Sequence, residues 1–421
     1  MPMMNIMIFL AGLAVYAGYG LPGLCYLAAA TVLSYGTALL TPRLRPMMWV
    51  SVAANALMLV LLKLQPVTGL ELISAMGVSY FSLQLISYNV DVWKGKYPPE
   101  RNLYRFALYV TYLPHLFIGP IERYDRFAPA MFQNRRMTVD GFFHGGARAL
   151  WGLIKKLVIA SRLGVVIGTV SAQPQSFTGA YALAAMLLYS FQLYSDFSGG
   201  MDIVLGVSQM LGMPLSENFD TPYFSRSFQE FWRRWHITLG SWLRDYVYIP
   251  LGGNRKGKLR KYLNLVITFL VSGLWHGVQY LLWGLFNGIF VCFGTRLQTK
   301  WKTVDRIVTF LLISLLWSFF IWPDALTALK MVGSVFTTFN YAAFFTTVGT
   351  LGLTGADWII LGAALLLLWG YDLWHKALWQ WFDRRHVALR TAFVCTLGLL
   401  VMLFGMYGIG FNAAAFIYSQ F

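Results

Sequence analysis

The chain has 421 residues, of which 57% are hydrophobic and 12% are charged, whereas about 25% of the residues of an ordinary soluble domain are charged. This composition excludes a soluble globular core and indicates a membrane protein. The 33 basic residues outnumber the 17 acidic ones, but they lie in short clusters between apolar segments. That pattern is typical of cytoplasmic loops facing anionic lipids, and we predict no nucleic-acid partner.

The apolar segments, taken in chain order, predict an all-α polytopic membrane protein with about 10–12 membrane-spanning or re-entrant helices. No linker is long enough to separate a second domain, so residues 1–421 are predicted to form one domain. The segments lie at 4–18, 22–40, 46–62, 70–90, 104–119, 147–171, 178–211, 262–294 (broken), 304–322, 358–374 and 391–411.

The basic clusters predict the orientation of these segments. Residues 43–45, 94–105 and 255–261 are each basic and lie beside apolar segments, so we expect them to face the cytoplasm, as the N-terminus should. A full crossing by residues 104–119 would place the arginines of 123–136 outside. We therefore expect that short segment to re-enter and return. The apolar N-terminal segment lacks the basic leading region of a cleaved signal peptide, and we predict that it stays in the membrane as a helix.

The three cysteines, Cys25, Cys292 and Cys395, lie in separate apolar runs without the spacing of a metal site. We predict neither a zinc site nor a disulfide framework, and we expect the thiols to pack as small hydrophobic groups.

Residues 231–246 predict an amphipathic helix that lies along the membrane surface. Its tryptophans recur at helical spacing on one face with His236, while Arg233, Arg234 and Arg244 take the opposite face. A tryptophan-rich face opposite arginines suits the headgroup level of a bilayer. The turn around Gly252 is expected to end this region.

A second histidine, His276, lies inside a run of 34 uncharged residues, 262–295. One crossing needs only ~20 residues, so we expect the run to break near Gly273 and Gly277. A helix starting near Lys261 would place His276 roughly 20 Å along its axis. A polar side chain at that depth usually faces a protein interior or a water-filled cavity.

Several motifs in this region resemble the membrane-bound O-acyltransferase family, in particular its bacterial branch that acetylates alginate and other exopolysaccharides. The core motifs lie within residues 80–294. They are WRRWHITLGSWLRDYVYIPLGGNRKG followed by GLWHG, with YFSLQLISYNVDVWKG (80–95), YLPHLFIGPIERY (112–124), YSDFSGGMDIVLG (194–206) and ENFDTPYFSRSFQEFWRRWH (217–236). Outside that range, the terminal FIYSQF (416–421) also resembles the family.

The resemblance implies that His276, in GLWHG, is the catalytic histidine and that His236 is the second site histidine. It implies that an acetyl group is transferred from a cytoplasmic acyl thioester, which is acetyl-CoA or an acyl carrier protein. The acceptor is a hydroxyl of an extracellular polysaccharide, or an acyltransferase partner outside the bacterial cytoplasmic membrane. No tightly bound cofactor and no metal are implied. Neutral imidazole is well suited to take a hydroxyl proton near pH 7, and removal from water favours the neutral form.

Other interpretations remain open at this point. His276 can be a hydrogen-bonded core residue, and His236 a helix-face residue. D-alanyl transfer toward teichoic acid, the activity of a sister branch, is an alternative, although the intact LGGNRKG favours acetylation. A secondary transporter is an alternative of another class, but transporters usually show two related halves, and this histidine-rich block occurs once.

We also predict the roles of four acidic residues and of four tryptophans. Asp196 and Asp202 are six residues apart, about 120° around a helix, so they should not form a paired-carboxylate site. We expect Asp196 to hold a histidine or an arginine in place. Asp91 and Glu122 should be ordinary solvated or salt-bridged charges. An apolar path for the acyl group is expected near His276, and its candidate lining residues are Trp235, Trp242, Trp275 and Trp283.

Overall fold

The computed structural model describes residues 2–18, 20–68, 77–132, 136–294 and 298–407. Within these ranges the chain is helical, and the only β-type pairing is an isolated bridge between Phe219 and Trp235. The prediction of an all-α protein is confirmed. The terminal motif at 416–421 lies outside the described residues.

The helices, numbered in chain order, vary from one turn to 31 residues. Short π-helical turns follow α8 and α12, at Ile154–Ala160 and Arg244–Tyr248. The helices are α1 Pro2–Ala17, α2 Leu21–Leu40, α3 Met47–Thr68, α4 Val78–Trp93, α5 Leu103–Thr111, α6 Leu113–Phe117, α7 Tyr124–Phe132, α8 Val139–Leu153, α9 Ser161–Ala172, α10 Ala180–Met210, α11 Phe228–Arg234, α12 Ile237–Leu243, α13 Gly257–His276, α14 Leu281–Phe293, α15 Lys302–Leu316, α16 Ser318–Ile321, α17 Ala325–Thr337, α18 Tyr341–Thr347, α19 Gly355–Asp383 and α20 Val387–Phe404.

Among the described residues, five helical stretches are long and apolar enough to cross a membrane. They are Leu21–Leu40, Met47–Gln65, Lys302–Ile321, Gly355–Asp383 and Val387–Phe404. The segment predicted at 104–119 forms the short helices α5 and α6, and neither is long enough to span a bilayer. This agrees with a segment that re-enters and returns.

The structure also contains helices that the sequence did not predict. No segment was expected between 322 and 358, where α17 and α18 form; α17 begins after Asp324, whose side chain accepts a hydrogen bond from the amide of Thr327. The cysteine prediction is wrong for two residues, because only Cys292 is buried while Cys25 and Cys395 are exposed.

The longest helix, α10, packs closely along α8. A Cβ atom at Gly145 would collide with the carbonyl oxygen of Gly206, and one at Gly152 would collide with that of Gly199. Small residues at such an interface let two backbones approach each other. The close approach brings the charged side chains of α8 and of the π-turn after it against those of α10.

Two hydrophobic clusters make up the interior. One is built mainly from α8–α10, α14–α17, α19 and α20, and the other mainly from α2–α7 with α12. Trp235 and Trp283 belong to the first cluster, whereas Leu239 and Trp275 belong to the second. His236 and His276 are sequence neighbours of residues from both, so they lie where the two clusters meet.

Candidate functional site

The helix predicted over residues 231–246 is broken at His236. Helix α11 ends at Arg234 and α12 begins at Ile237, and His236 between them has left-handed backbone angles, φ 47° and ψ 53°. The prediction of one continuous helix is wrong. The helical pattern of backbone hydrogen bonds is interrupted here, because the amide of Ile237 donates to the carbonyl of Asn218 at 3.0 Å. Left-handed angles are uncommon and costly for a residue with a side chain.

The side chain of His236 is buried and held in place from one side. Its Nδ1 lies 3.3 Å from Oδ1 of Asn218, and the same oxygen accepts hydrogen bonds from the amide and hydroxyl of Thr238 at 2.9 Å. The ring of Phe197 packs edge-on with centroids 4.9 Å apart. Asn218 lies in the quoted motif ENFD, yet sequence reasoning did not single it out. Its amide fixes both the ring and the start of α12.

His276 is the last residue of α13 and is buried among aromatic rings. The centroids of Trp283, Phe320 and Tyr280 lie 5.5, 5.6 and 6.3 Å from the imidazole centroid. The helix stops there because Gly277 has φ 146°, an angle that residues with a side chain rarely adopt. The predicted break of the long uncharged run is confirmed at this glycine.

Gly273 has a different role from the one predicted for it. It lies inside α13, one turn before the break, where a Cβ atom would come within 2.6 Å of the carbonyl oxygen of Tyr280. It allows α13 and α14 to pack as a tight hairpin. Among the described residues that line the cavities near the histidines, neither Gly273 nor Gly277 appears.

One small cavity brings the two histidines together, although they are 40 residues apart in sequence. Its volume of about 20 Å³ is near the minimum that holds a water molecule. We call it the histidine cavity. It is lined by His236, His276, Ser272, Leu193, Leu239, Trp232, Trp235, Trp283, Trp317 and Phe320.

A larger cavity of about 380 Å³ adjoins the histidine cavity, and the two share Trp232, His236, Leu239 and Ser272. Its other lining residues include Arg233 and Arg244, both exposed at the surface. We call it the arginine-lined cavity. It is lined from these two exposed arginines to His236.

Of the four tryptophans expected to line the acyl path, two line the histidine cavity and two do not. Trp235 and Trp283 line the histidine cavity. Trp242 and Trp275 instead donate their indole N–H groups to backbone carbonyls of α4, at 2.8 and 3.4 Å. They attach α12 and α13 to the neighbouring cluster and do not line the path.

Both carboxylates of α10 belong to ion pairs. Asp196 pairs with Lys156 at 2.6 Å, and its expected contact with a histidine or an arginine stays a prediction. Asp202 pairs with Arg148 at 2.9 Å and also with Lys155. As predicted, the two aspartates do not form a paired-carboxylate site. These five residues constitute the ion-pair cluster.

Of the two acidic residues expected to be ordinary solvated or salt-bridged charges, Asp91 fits, since it pairs with Lys96 at 3.2 Å. Glu122 does not. Its side chain is only 3% exposed and accepts hydrogen bonds from the amide and the hydroxyl of Ser216.

Within the described ranges, no group of three His, Cys, Asp or Glu side chains could hold a metal ion.

Comparisons with known proteins agree on one family. Residues 100–338, which include both histidines, match the model of MBOAT, the membrane-bound O-acyltransferase family. The chain is 38% identical over 349 residues to the "Probable alginate O-acetylase AlgI" of Pseudomonas fluorescens, covering 79% of this chain and 70% of that one. Four further proteins of that name are covered over 54–58% of their length.

Two relatives with other names are more distant. The chain is 34% identical over 305 residues to a "Peptidoglycan O-acetyltransferase" of Helicobacter pylori, covering 62% of this chain and 57% of that one. It is 30% identical over 265 residues to a "Teichoic acid D-alanyltransferase" of Streptococcus thermophilus, covering 59% and 64%. The helical fold, the spanning-length helices and the matched residues lead to one conclusion: this multi-pass membrane protein belongs to the membrane-bound O-acyltransferase family.

Proposed function

We propose that this protein moves an acetyl group from a cytoplasmic acyl thioester to a hydroxyl of an extracellular polysaccharide, directly or through an acyltransferase partner outside the bacterial cytoplasmic membrane. The observation that carries this proposal is the histidine cavity, where His236 and His276 meet. Acyl transfer to an alcohol needs a positioned base, and the buried imidazoles are the titratable groups that line this cavity.

In the proposed reaction His276 acts as the general base. It takes the proton of the acceptor hydroxyl as that oxygen attacks the carbonyl carbon of the thioester, and the carbon–sulfur bond then breaks. The imidazolium returns its proton to the departing thiolate, so the histidine ends unchanged. The aromatic rings around His276 exclude water, which protects the thioester from hydrolysis.

His236 is proposed to orient the acceptor or to stabilise the charge that develops on the carbonyl oxygen. Its Nδ1 faces Asn218, so the ring orientation is fixed before substrate arrives. Such preorganisation is the usual source of electrostatic stabilisation in enzymes.

The arginine-lined cavity is proposed to admit the thioester donor. Its exposed arginines, Arg233 and Arg244, can bind the phosphates of acetyl-CoA or of the prosthetic arm of an acyl carrier protein. Its shared wall with the histidine cavity would bring the thioester carbonyl next to His236.

The comparisons support acetyl rather than D-alanyl transfer. Identity to the alginate O-acetylase relative is 38% over 79% of this chain, against 30% over 59% for the teichoic acid D-alanyltransferase relative. Membership of an acyltransferase family also argues against the transporter alternative.

The proposal can be tested by deleting the gene and measuring the esters that mild base releases from the cell-surface polymers. We expect acetate to fall and alanine to stay constant, and expression of the chain to restore acetate. A matched control is His386→Asn, which changes an exposed histidine and should restore acetate fully. Loss of alanine esters would favour the D-alanyl alternative, and unchanged amounts of both would overturn the proposal.

A further inference from the structure

A long apolar groove is lined by none of the residues that line the histidine cavity. Its volume is about 850 Å³, and α19 and α20 line it together with α8 and the π-turn after α8. Along α19 the lining runs from Ile359 to Trp379, which corresponds to roughly 30 Å at 1.5 Å per residue.

The groove borders a charged pocket. The pocket has a volume of about 530 Å³ and shares Tyr371 and Trp379 with the groove. Its charged lining residues are Arg148, Lys155, Asp202, Glu217, Asp220, Asp372 and Lys376. An apolar groove beside a charged pocket matches an amphiphile, with acyl chains in the groove and a headgroup in the pocket.

One polar group in the groove indicates where the two parts of this amphiphile join. The indole Nε1 of Trp151 is buried and has no hydrogen-bond partner among the described residues, although buried donors are usually paired. The indole packs against the ring of Tyr371 with centroids 4.7 Å apart, beside the charged pocket. This is the position where the ester carbonyls of a phospholipid, just below the headgroup, would accept a hydrogen bond.

The charges in the pocket indicate the class of headgroup. Asp372 and Lys376 are one turn apart on α19, and side chains at that spacing are ~5–6 Å apart at their Cβ atoms. A headgroup that carries an ammonium beside a phosphate offers opposite charges at a similar separation. Arg148 is already engaged by Asp202 and Glu217, so the pocket is not a simple anion site.

The end of α19 indicates the leaflet. Arg384 and Arg385 are exposed in the turn between α19 and α20, and basic turns of membrane proteins lie on the cytoplasmic side. The charged pocket is near this end of α19, because Trp379 lines it.

From these observations we infer that the groove and the charged pocket bind an aminophospholipid of the cytoplasmic leaflet. Its phosphate meets Lys376, its primary ammonium meets Asp372, and an ester carbonyl accepts the N–H of Trp151. Of the helices that line the groove, α19 and α20 lie beyond the residues 100–338 that match the family model, whereas α8 lies within them.

The test uses the full chain, purified in detergent, stripped of lipid and incubated with phosphatidylethanolamine, phosphatidylglycerol or phosphatidylcholine. Native mass spectrometry measures the lipid retained. We expect phosphatidylethanolamine to bind about tenfold more tightly than the other two, which corresponds to roughly 1.4 kcal/mol. Phosphatidylcholine has no ammonium N–H to donate, and phosphatidylglycerol has no ammonium. Equal retention, or a preference for either competitor, would overturn the assignment of the headgroup.

Matched variants test the groove separately. Gly370→Leu adds a side chain to the groove lining and should reduce retention of all three lipids, whereas Gly362→Leu, on the same helix with open space around it, should not. Trp151→Phe should likewise weaken retention, and Trp358→Phe, which removes an unpartnered indole N–H outside the groove lining, should leave it unchanged. Unchanged retention in both Gly370→Leu and Trp151→Phe would overturn the site.

Discussion

Two groups of buried polar side chains, those of the histidine cavity and those of the ion-pair cluster, are accommodated differently. In the ion-pair cluster each buried charge faces an opposite one, as Asp202 faces Arg148 and Lys155. In the histidine cavity the imidazoles face aromatic rings and Asn218. Burying a charge is costly unless it is paired, so the cluster can hold permanent charges while the cavity suits neutral imidazoles. We infer that the cluster fastens α8 to α10 and that the cavity is the place for proton transfer.

The largest expected effect is on acetyl transfer, and it concerns the histidine cavity rather than the ion-pair cluster. His276→Ala should lower acetyl transfer by ~10²–10⁴-fold, the usual contribution of a positioned base, while protein amount and membrane insertion stay normal. His276→Gln should do no better, because an amide can hydrogen-bond but cannot take a proton at neutral pH. Polymer acetylation in a deletion strain, with membrane protein level measured alongside, checks this. Near-normal acetylation by the glutamine variant would remove His276 as the base and make His236 the next residue to test.

The second expected effect concerns stability. Asp202→Leu leaves Arg148 and Lys155 without their shared carboxylate, and loss of a buried partner typically costs about 3–5 kcal/mol. A large fall in the thermal unfolding midpoint in detergent is expected. Asp140→Ala is the control, since it removes an exposed carboxylate that pairs with Arg390, and such pairs contribute only about 0–1 kcal/mol. Equal midpoints for the two variants would show that the cluster does not fasten the helices.

A third, smaller effect is expected from filling the arginine-lined cavity without disturbing the histidines. A Cβ atom at Gly240 has no neighbour closer than 3.5 Å, so Gly240→Leu can fill the cavity that this residue lines. We expect KM for the donor to rise by about tenfold, corresponding to roughly 1.4 kcal/mol, with little change in unfolding midpoint. Gly168→Leu, a helical position with open space, should leave KM unchanged. A normal KM in Gly240→Leu would mean that the donor arrives elsewhere.

The smallest effect is expected at the mouth of the same cavity. Arg233→Gln removes an exposed positive charge, and screened surface charges act mainly on encounter with a charged ligand. The donor KM should rise a few-fold at low salt, and the difference from the unmodified protein should vanish at high salt. A salt-independent change would point to a structural effect rather than attraction of donor phosphates.

The choice of Gly240 follows from what the structure shows at Gly273 and Gly277. A bulky residue at either of these two glycines would lie close to His276 in the sequence, but it would not test the acyl path cleanly. In the structure, a side chain at Gly273 meets the carbonyl of Tyr280, and Gly277 has φ 146°. Either substitution would strain the α13–α14 hairpin. Gly240 is therefore the better position for testing the path.

The sequence by itself determined the membrane class, the all-α fold and the stop of α13 at Gly277, and it singled out His236 and His276. These features follow from local signals: apolar length, glycine conformational freedom, and short motifs whose residues are close in the chain. A histidine deep in an uncharged run is conspicuous in any sequence, because burying a polar group there requires a compensating partner or cavity.

Only the tertiary structure decided the break at His236, the partners of Asp196 and the roles of Trp242 and Trp275. Helical periodicity around residues 231–246 is strong, but the backbone hydrogen bonds that interrupt it come from Asn218 and Asp220, more than a dozen residues earlier. Likewise, Lys156 reaches Asp196 across 40 residues only because glycines let α8 and α10 approach. Periodicity reports what one segment prefers, whereas these outcomes depend on hydrogen-bonding and charged groups that distant segments place beside it.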